Sequence, residues 1–203
     1  MTKPLLLIGC GGHARALIDV VESSEDWHVF GLVGKTEQIG EEVLGYQVLG
    51  CDQDLSTLQQ QCDHAMLAVG QIGISSFRER LATILEKYKF IKPVIISSKA
   101  HISPHAQVGP GTSVGHGAIV NAGAYVGNDC ILNTNALIEH DAVIGDHCHI
   151  STGALVNGGT KIGYGSFIGS GAILREGLSL PPKTVISAGQ RVMGWPIREE
   201  RAA

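Results

Sequence analysis

A chain of 203 residues with 44% hydrophobic and 17% charged residues has material for one large domain or two small ones, and enough apolar surface for a core, which excludes intrinsic disorder. A net charge of -4 supplies no broad basic field, so nucleic acid and anionic membranes are excluded as default partners and small molecules are expected. No apolar run approaches the roughly 18 residues of a membrane span, and MTKPLLLIGCGGHARAL turns glycine-rich too early for a secretion signal, so a cytoplasmic location is expected. The five cysteines are odd in number, contain no CxxC pair, and are expected as free thiols.

In chain order, KPLLLIG predicts a buried strand, CGGHA a tight turn, RALIDVVESS a helix and HVFGLVG a second strand. This is the βαβ pattern of a parallel sheet. YQVLG, a helix near Asp52 to Gln60, HAMLAVG, a helix near Ser75 to Lys87 and KPVIIS continue an α/β, Rossmann-like domain over residues 1–96. Gly9, Gly11 and Ala14 match the GxGxxG/A turn that brings a helix N-terminus up to a pyrophosphate. A dinucleotide site also wants an acidic residue after the second strand, and LVGKTEQ places Lys35 there. That disfavours NAD. Lys35 leaves NADP open, a turn serving only chain reversal is a further alternative, and a nucleotide diphosphate without nicotinamide is favoured.

From Ile102, every sixth residue through Ile186 is aliphatic, fifteen in succession. A second series four places on, from Ala106 to Thr184, is nearly all small. A six-residue period marks a parallel β-helix, expected over residues 97–190 with a tail at 191–203. Positions five and one of each hexad point inward, six and two outward, and three and four turn the corner. Three hexads close one triangular coil, so Cys130 and Cys148, eighteen apart, stack in the inward small column.

IEHDAVIGDHCHIS crowds three histidines together. His140 falls on a corner, His147 on the next corner and His149 on an outward face, so they do not converge as zinc ligands must, and no metal is expected. Glu139, His140 and Asp141 instead suit a general base whose tautomer and basicity are set by a carboxylate; a solvated corner is the alternative. Eighteen residues either side of His140 stand Ala122 and Gly158, which leave the surface low beside the imidazole and make room for a ligand. Cys148 points inward, so no covalent acyl carrier is expected, and an amine or hydroxyl would attack a thioester directly.

The CGGHAR turn, the AVGQ…R segment, NTNALIEHDAVIGDHCHISTGA, the hexads and the terminal GWP together resemble bacterial sugar acetyltransferases of the hexapeptide-repeat superfamily, both the sialic-acid O-acetyltransferase type and the UDP-4-amino-sugar N-acetyltransferases of bacillosamine synthesis. The resemblance implies a Rossmann-like domain followed by a left-handed parallel β-helix, with acetyl-CoA as co-substrate. It implies His140 as general base, Asp141 raising its basicity, His149 contacting acetyl-CoA, and Ser170, Ala188 and Gly158 along the cofactor cleft. Gly11, Gly12 and His13, with Lys35 and Asn133, would hold the nucleotide sugar. Gly34 and Lys35 depart from the acidic residues usual there. The expected function is acetylation of the amino group of a UDP-4-amino sugar; O-acetylation of sialic acid and a non-enzymatic nucleotide-sensing scaffold are the alternatives. Because His149 lies on the face opposite the His140 corner, one site using both requires two subunits, and a homotrimer is expected.

Overall fold

The computed structural model describes residues 2–74 and 76–196. Strands β1 (Lys3–Ile8), β2 (Trp27–Val33), β3 (Glu42–Val43), β4 (Tyr46–Gly50) and β5 (Ala65–Leu67) form a sheet in the order β3-β4-β2-β1-β5. All pairs are parallel except β3 with β4. The run Leu5 to Ile8 is fully buried because both faces of β1 are covered, as a parallel sheet requires. Leu5 and Leu7 pack with Leu17 and Ile18 of α1 (Gly12–Glu22). Leu6 and Ile8 face α2 (Leu55–Gln59) and α3 (Ser76–Lys87), meeting Leu55, Leu81 and Leu85.

Seventeen two-residue strands follow among the described residues, in three parallel sheets of six, five and six strands. Each pairs with the strand eighteen residues on, as Ile131 with His149 and Leu132 with Ile150. The inward columns, among them Val120, Ile138, Ile150 and Ala154, close one continuous core. Cys130 and Cys148 stack within it, with thiols directed at the Gly145 and Gly163 carbonyls at 3.2 Å. All five cysteines are free. Position four of successive hexads adopts left-handed backbone, glycine at most of them but Asp129, Asn135, Asp141 and His147 at four consecutive corners, with φ between 54° and 58°, and Lys183 at a later one with φ 59°. Asp and Asn tolerate that conformation better than other side chains.

KPVIIS does not extend the N-terminal sheet as the sequence predicts: Ile95–Ile96 pairs with Ser113–Val114 as the first strand of the β-helix. Ile95 is outward there and fills the core of the N-terminal domain, which explains its strand-like burial in the sequence. Arg191–Val192 likewise prolongs the repeat by pairing with Ile173–Leu174, within the expected tail. Residues 197–203 of that tail lie outside the described residues.

The N-terminal domain rests on the sheet that contains Ser113, Ile131 and His149, all buried although they face out of the β-helix. Arg78 donates to the Asp129 carbonyl at 3.0 Å, Lys92 meets the Asp129 carboxylate at 2.7 Å, and His116 meets Asp19 at 2.9 Å. No described helix is long and apolar enough to cross a membrane.

Candidate active site

His140 and Asp141 occupy the corner between Leu137–Ile138 and Val143–Ile144. The Asp141 carboxylate accepts from the Nδ1–H of His140 at 2.9 Å, which leaves Nε2 as the unprotonated, basic nitrogen. Glu139 is anchored by the Asn121 amide at 2.9 Å and by the His140 backbone N–H at 3.2 Å. The hydrogen bond to Asp141 raises the His140 pKa above its ordinary value, opposed by desolvation and aided by the charges of Asp141 and Glu139. The imidazole lies over Gly158 of the next coil: a Cβ there would come within 2.6 Å of Nε2. The ring is thus oriented by a carboxylate, supported from one side and two-thirds exposed.

A cleft of about 660 Å³ opens at the C-terminal ends of the N-terminal strands, lined by Gly11, Gly12, His13 and Lys35 among others. Gly9 is required by the fold, since its φ is 123° and a Cβ would strike Val69 at 2.7 Å. Gly11 and Gly12 are different, because a Cβ on either would meet nothing within 4 Å. Their bareness exposes the first turn of α1, whose N-cap has no side-chain hydrogen bond, and the open backbone N–H groups with the helix dipole suit an anion.

His149 is oriented by its Nδ1–H, which donates to the Gln71 carbonyl at 2.6 Å, so Nε2 carries the lone pair toward the Asn133 amide at 3.5 Å. Burial lowers its pKa to about 4, assisted by the positive charge of Arg78 and resisted by the bond to Gln71. His13 is pushed down to about 3 by burial, then by Arg78 and His149. Both are neutral at pH 7, and the His13 Nε2 is buried without a partner. His13, Asn133 and His149 therefore gather beneath residues 70–71, where His149 is roofed by Gln71 rather than open on its face.

Ser170 and Ala188 are exposed one above the other on the corner that follows the His149 sheet, with the Ser170 hydroxyl bonded to Ser151 at 2.9 Å. His147 lies on the third corner, with Nε2 at 3.9 Å from Asp129 and its ring edge-on to Tyr164. One chain therefore holds His140, the Ser170–Ala188 pair and the His149 cluster in three separate places.

Sequence reasoning includes Arg78 in the AVGQ…R segment but assigns it no role; it is 1% exposed and donates to the carbonyls of Val69 and Asp129. Its signal was spacing: Arg78, Leu81, Ala82 and Leu85 form the buried stripe of α3, so a charge stands on an apolar face. Among the described residues no group of three or more His, Cys, Asp or Glu could hold a metal ion.

Comparison with known proteins matches residues 90–193 to the GMPPB C-terminal domain and residues 4–85 to the PglD N-terminal domain. None of the curated proteins matches significantly. Among solved structures, a histidine mutant of perosamine N-acetyltransferase from Caulobacter crescentus, in complex with CoA and GDP-perosamine, is 28% identical with a TM-score of 0.88, over 96% of this chain and 90% of that one. The acetyltransferase domain of PglB from Neisseria gonorrhoeae, in complex with acetyl coenzyme A, is 28% identical with a TM-score of 0.84, over 95% and 93%. WeeI from Acinetobacter baumannii shares the fold at 24% identity and a TM-score of 0.71, over 97% and 99%. By its β-helix the chain belongs to the family of the GMPPB C-terminal domain, and with its PglD-type N-terminal domain it is a sugar acetyltransferase of the hexapeptide-repeat superfamily.

Proposed function

We propose that the protein transfers the acetyl group of acetyl-CoA directly to the amino group of a nucleotide-activated amino sugar. The observation that carries this is the basic Nε2 of His140, freed by the Nδ1–Asp141 hydrogen bond and set over the bare Gly158 on a side chain that is two-thirds exposed. The amine attacks the thioester carbonyl to form the N–C bond, Nε2 takes the amine's proton, and as the C–S bond breaks the imidazolium returns that proton to the sulfur, which leaves as the CoA thiol. Both cysteines of the β-helix nearest His140, Cys130 and Cys148, are buried, which supports direct transfer over an acyl-enzyme.

The acceptor is held by its pyrophosphate on the open turn at Gly11 and Gly12, with the sugar directed along His13 toward Asn133. Acetyl-CoA lies in a groove between β-helices along the exposed Ser170 and Ala188, with its acetyl end reaching the small exposed edge of His149 beneath Gln71. Since His140 stands on a different corner from those residues, the complete site takes His140 and Asp141 from one subunit and the cleft with His149 from a neighbour, in a cyclic homotrimer. The resemblance in sequence points to a UDP-4-amino sugar, while one solved neighbour binds GDP-perosamine. The test is thiol release from acetyl-CoA with a panel of nucleotide-linked amino sugars, with mass analysis of the product. Release that no nucleotide sugar stimulates overturns the proposal; an O-acetylated product moves the protein to the sialic-acid type of chemistry.

A further inference from the structure

The order of the strands lays out the cleft. The bare turn at Gly11 and Gly12 follows β1; β2, beside it, runs into residues 34–38; and β4, the next strand out, runs into Cys51, Asp52 and Gln53. On the other side of β1, β5 leads to Gln71 and so to His149. Neighbouring strands are about 4.8 Å apart, so the end of β4 stands about 10 Å from the phosphate turn, on the side away from the β-helix. A nucleoside diphosphate on that turn, with its sugar toward His149, therefore lays its ribose over the end of β2 and its base over the end of β4.

The acidic groups at that end are not equivalent. Glu37 has Lys35 as a counter-charge at 3.9 Å. Asp54 accepts from the Cys51 backbone N–H at 2.9 Å and is spent on closing its own turn. Asp52 and Gln53 are exposed, line the cleft and take part in no such contact among the described residues.

Resting on the nucleotide-sugar function proposed above, we infer that Asp52 selects guanine, so that the acceptor is a GDP-linked amino sugar. A carboxylate offers two acceptor oxygens side by side, and guanine alone among the common bases presents two adjacent donors, N1–H and the N2 amino group. Uracil presents one N–H between two carbonyls that a carboxylate repels. Adenine and cytosine each set a ring acceptor beside their single amino group. The Gln53 carboxamide adds a donor for the guanine O6, completing a polar match that the other bases leave partly unpaired.

The test is calorimetric titration of the full-length protein with GDP, UDP, ADP and CDP in the absence of acetyl-CoA. GDP is expected to bind at least tenfold more tightly than the other three. Asp52→Asn is expected to lose tenfold or more for GDP and to leave UDP unchanged, with an unaltered circular dichroism spectrum because the side chain lies on the surface. Tighter or equal binding of UDP, or a variant that keeps the preference for GDP, overturns the base assignment and leaves the nucleotide-sugar function standing. Binding of none of the four overturns both.

Discussion

The position of one proton on His140 decides what that residue can do. Asp141 holds it on Nδ1, so Nε2, above Gly158, is the acceptor, and the same hydrogen bond raises the pKa. A base works only when neutral, and a raised pKa delays neutrality as pH rises. The rate is therefore expected to climb with pH through a limb above the ordinary value of 6.5, and Asp141→Asn should move that limb to lower pH while lowering the plateau. A pH profile of kcat/KM in which the limb stays in place would remove Asp141 from this role. His140→Ala should lower turnover by roughly 10² to 10⁴ with the fold intact. Gly158→Ala is a finer probe, because its new methyl group must displace the imidazole it lies under. It should reduce kcat with little change in melting temperature, and unchanged kcat would show that the ring position over Gly158 is dispensable.

At the scale of elements, the two halves are made by different rules, and legibility follows the rule. Each hexad repeats one inward aliphatic and one small inward residue, so strand direction, corner positions and the stacked cysteines could all be read from period six alone. The first strand could not. Ile95 packs into the N-terminal core while the strand it belongs to pairs with the β-helix and leaves Ile96 exposed, so local burial points to one domain and pairing to the other. The hexad frame places His149 outward, which it is; its burial comes from Gln71, 78 residues earlier, and no local pattern reports a roof supplied from so far away. Arg78 shows the same limit in α3, where the helical stripe was visible but its partners, Val69 and Asp129, belong to two different domains. Arg78→Ala leaves both carbonyls without their donor and opens a cavity, at a cost of about 2–4 kcal/mol. For a chain of this size that is a fall in melting temperature of about 4–16 °C. His147→Ala, by contrast, should leave turnover nearly unchanged, since that imidazole contacts Tyr164 and Asp129 on the third corner; a large loss of turnover would bring His147 into the mechanism.

Over the whole molecule the nucleotide cleft and His140 lie apart, one above the end of the N-terminal sheet and the other on a corner of the β-helix that the N-terminal domain does not cover. A direct transfer needs both to contact one nucleotide-sugar molecule, the cleft at its diphosphate and Nε2 at its amine, and a β-helix cannot bend a corner around its own core to bring them together. The proposed trimer brings them together, with the corner of one β-helix set into the groove beside the next. A cyclic trimer closes three such grooves and leaves none unpaired. Its native mass should be three times 21.4 kDa. The sharper test uses two inactive variants, His140→Ala and His149→Ala, unfolded together and refolded as a mixture. If His140 and His149 of one site come from different subunits, random assembly of equal amounts restores both histidines to about a quarter of the sites, and thiol release should return to about that fraction of the wild-type rate. Sites built within one chain would each keep their own lesion, and the mixture would stay as inactive as its parts. Absence of recovery in confirmed mixed trimers would therefore place both histidines in one chain, and the separation of corner and cleft would have to be closed by movement of the N-terminal domain instead.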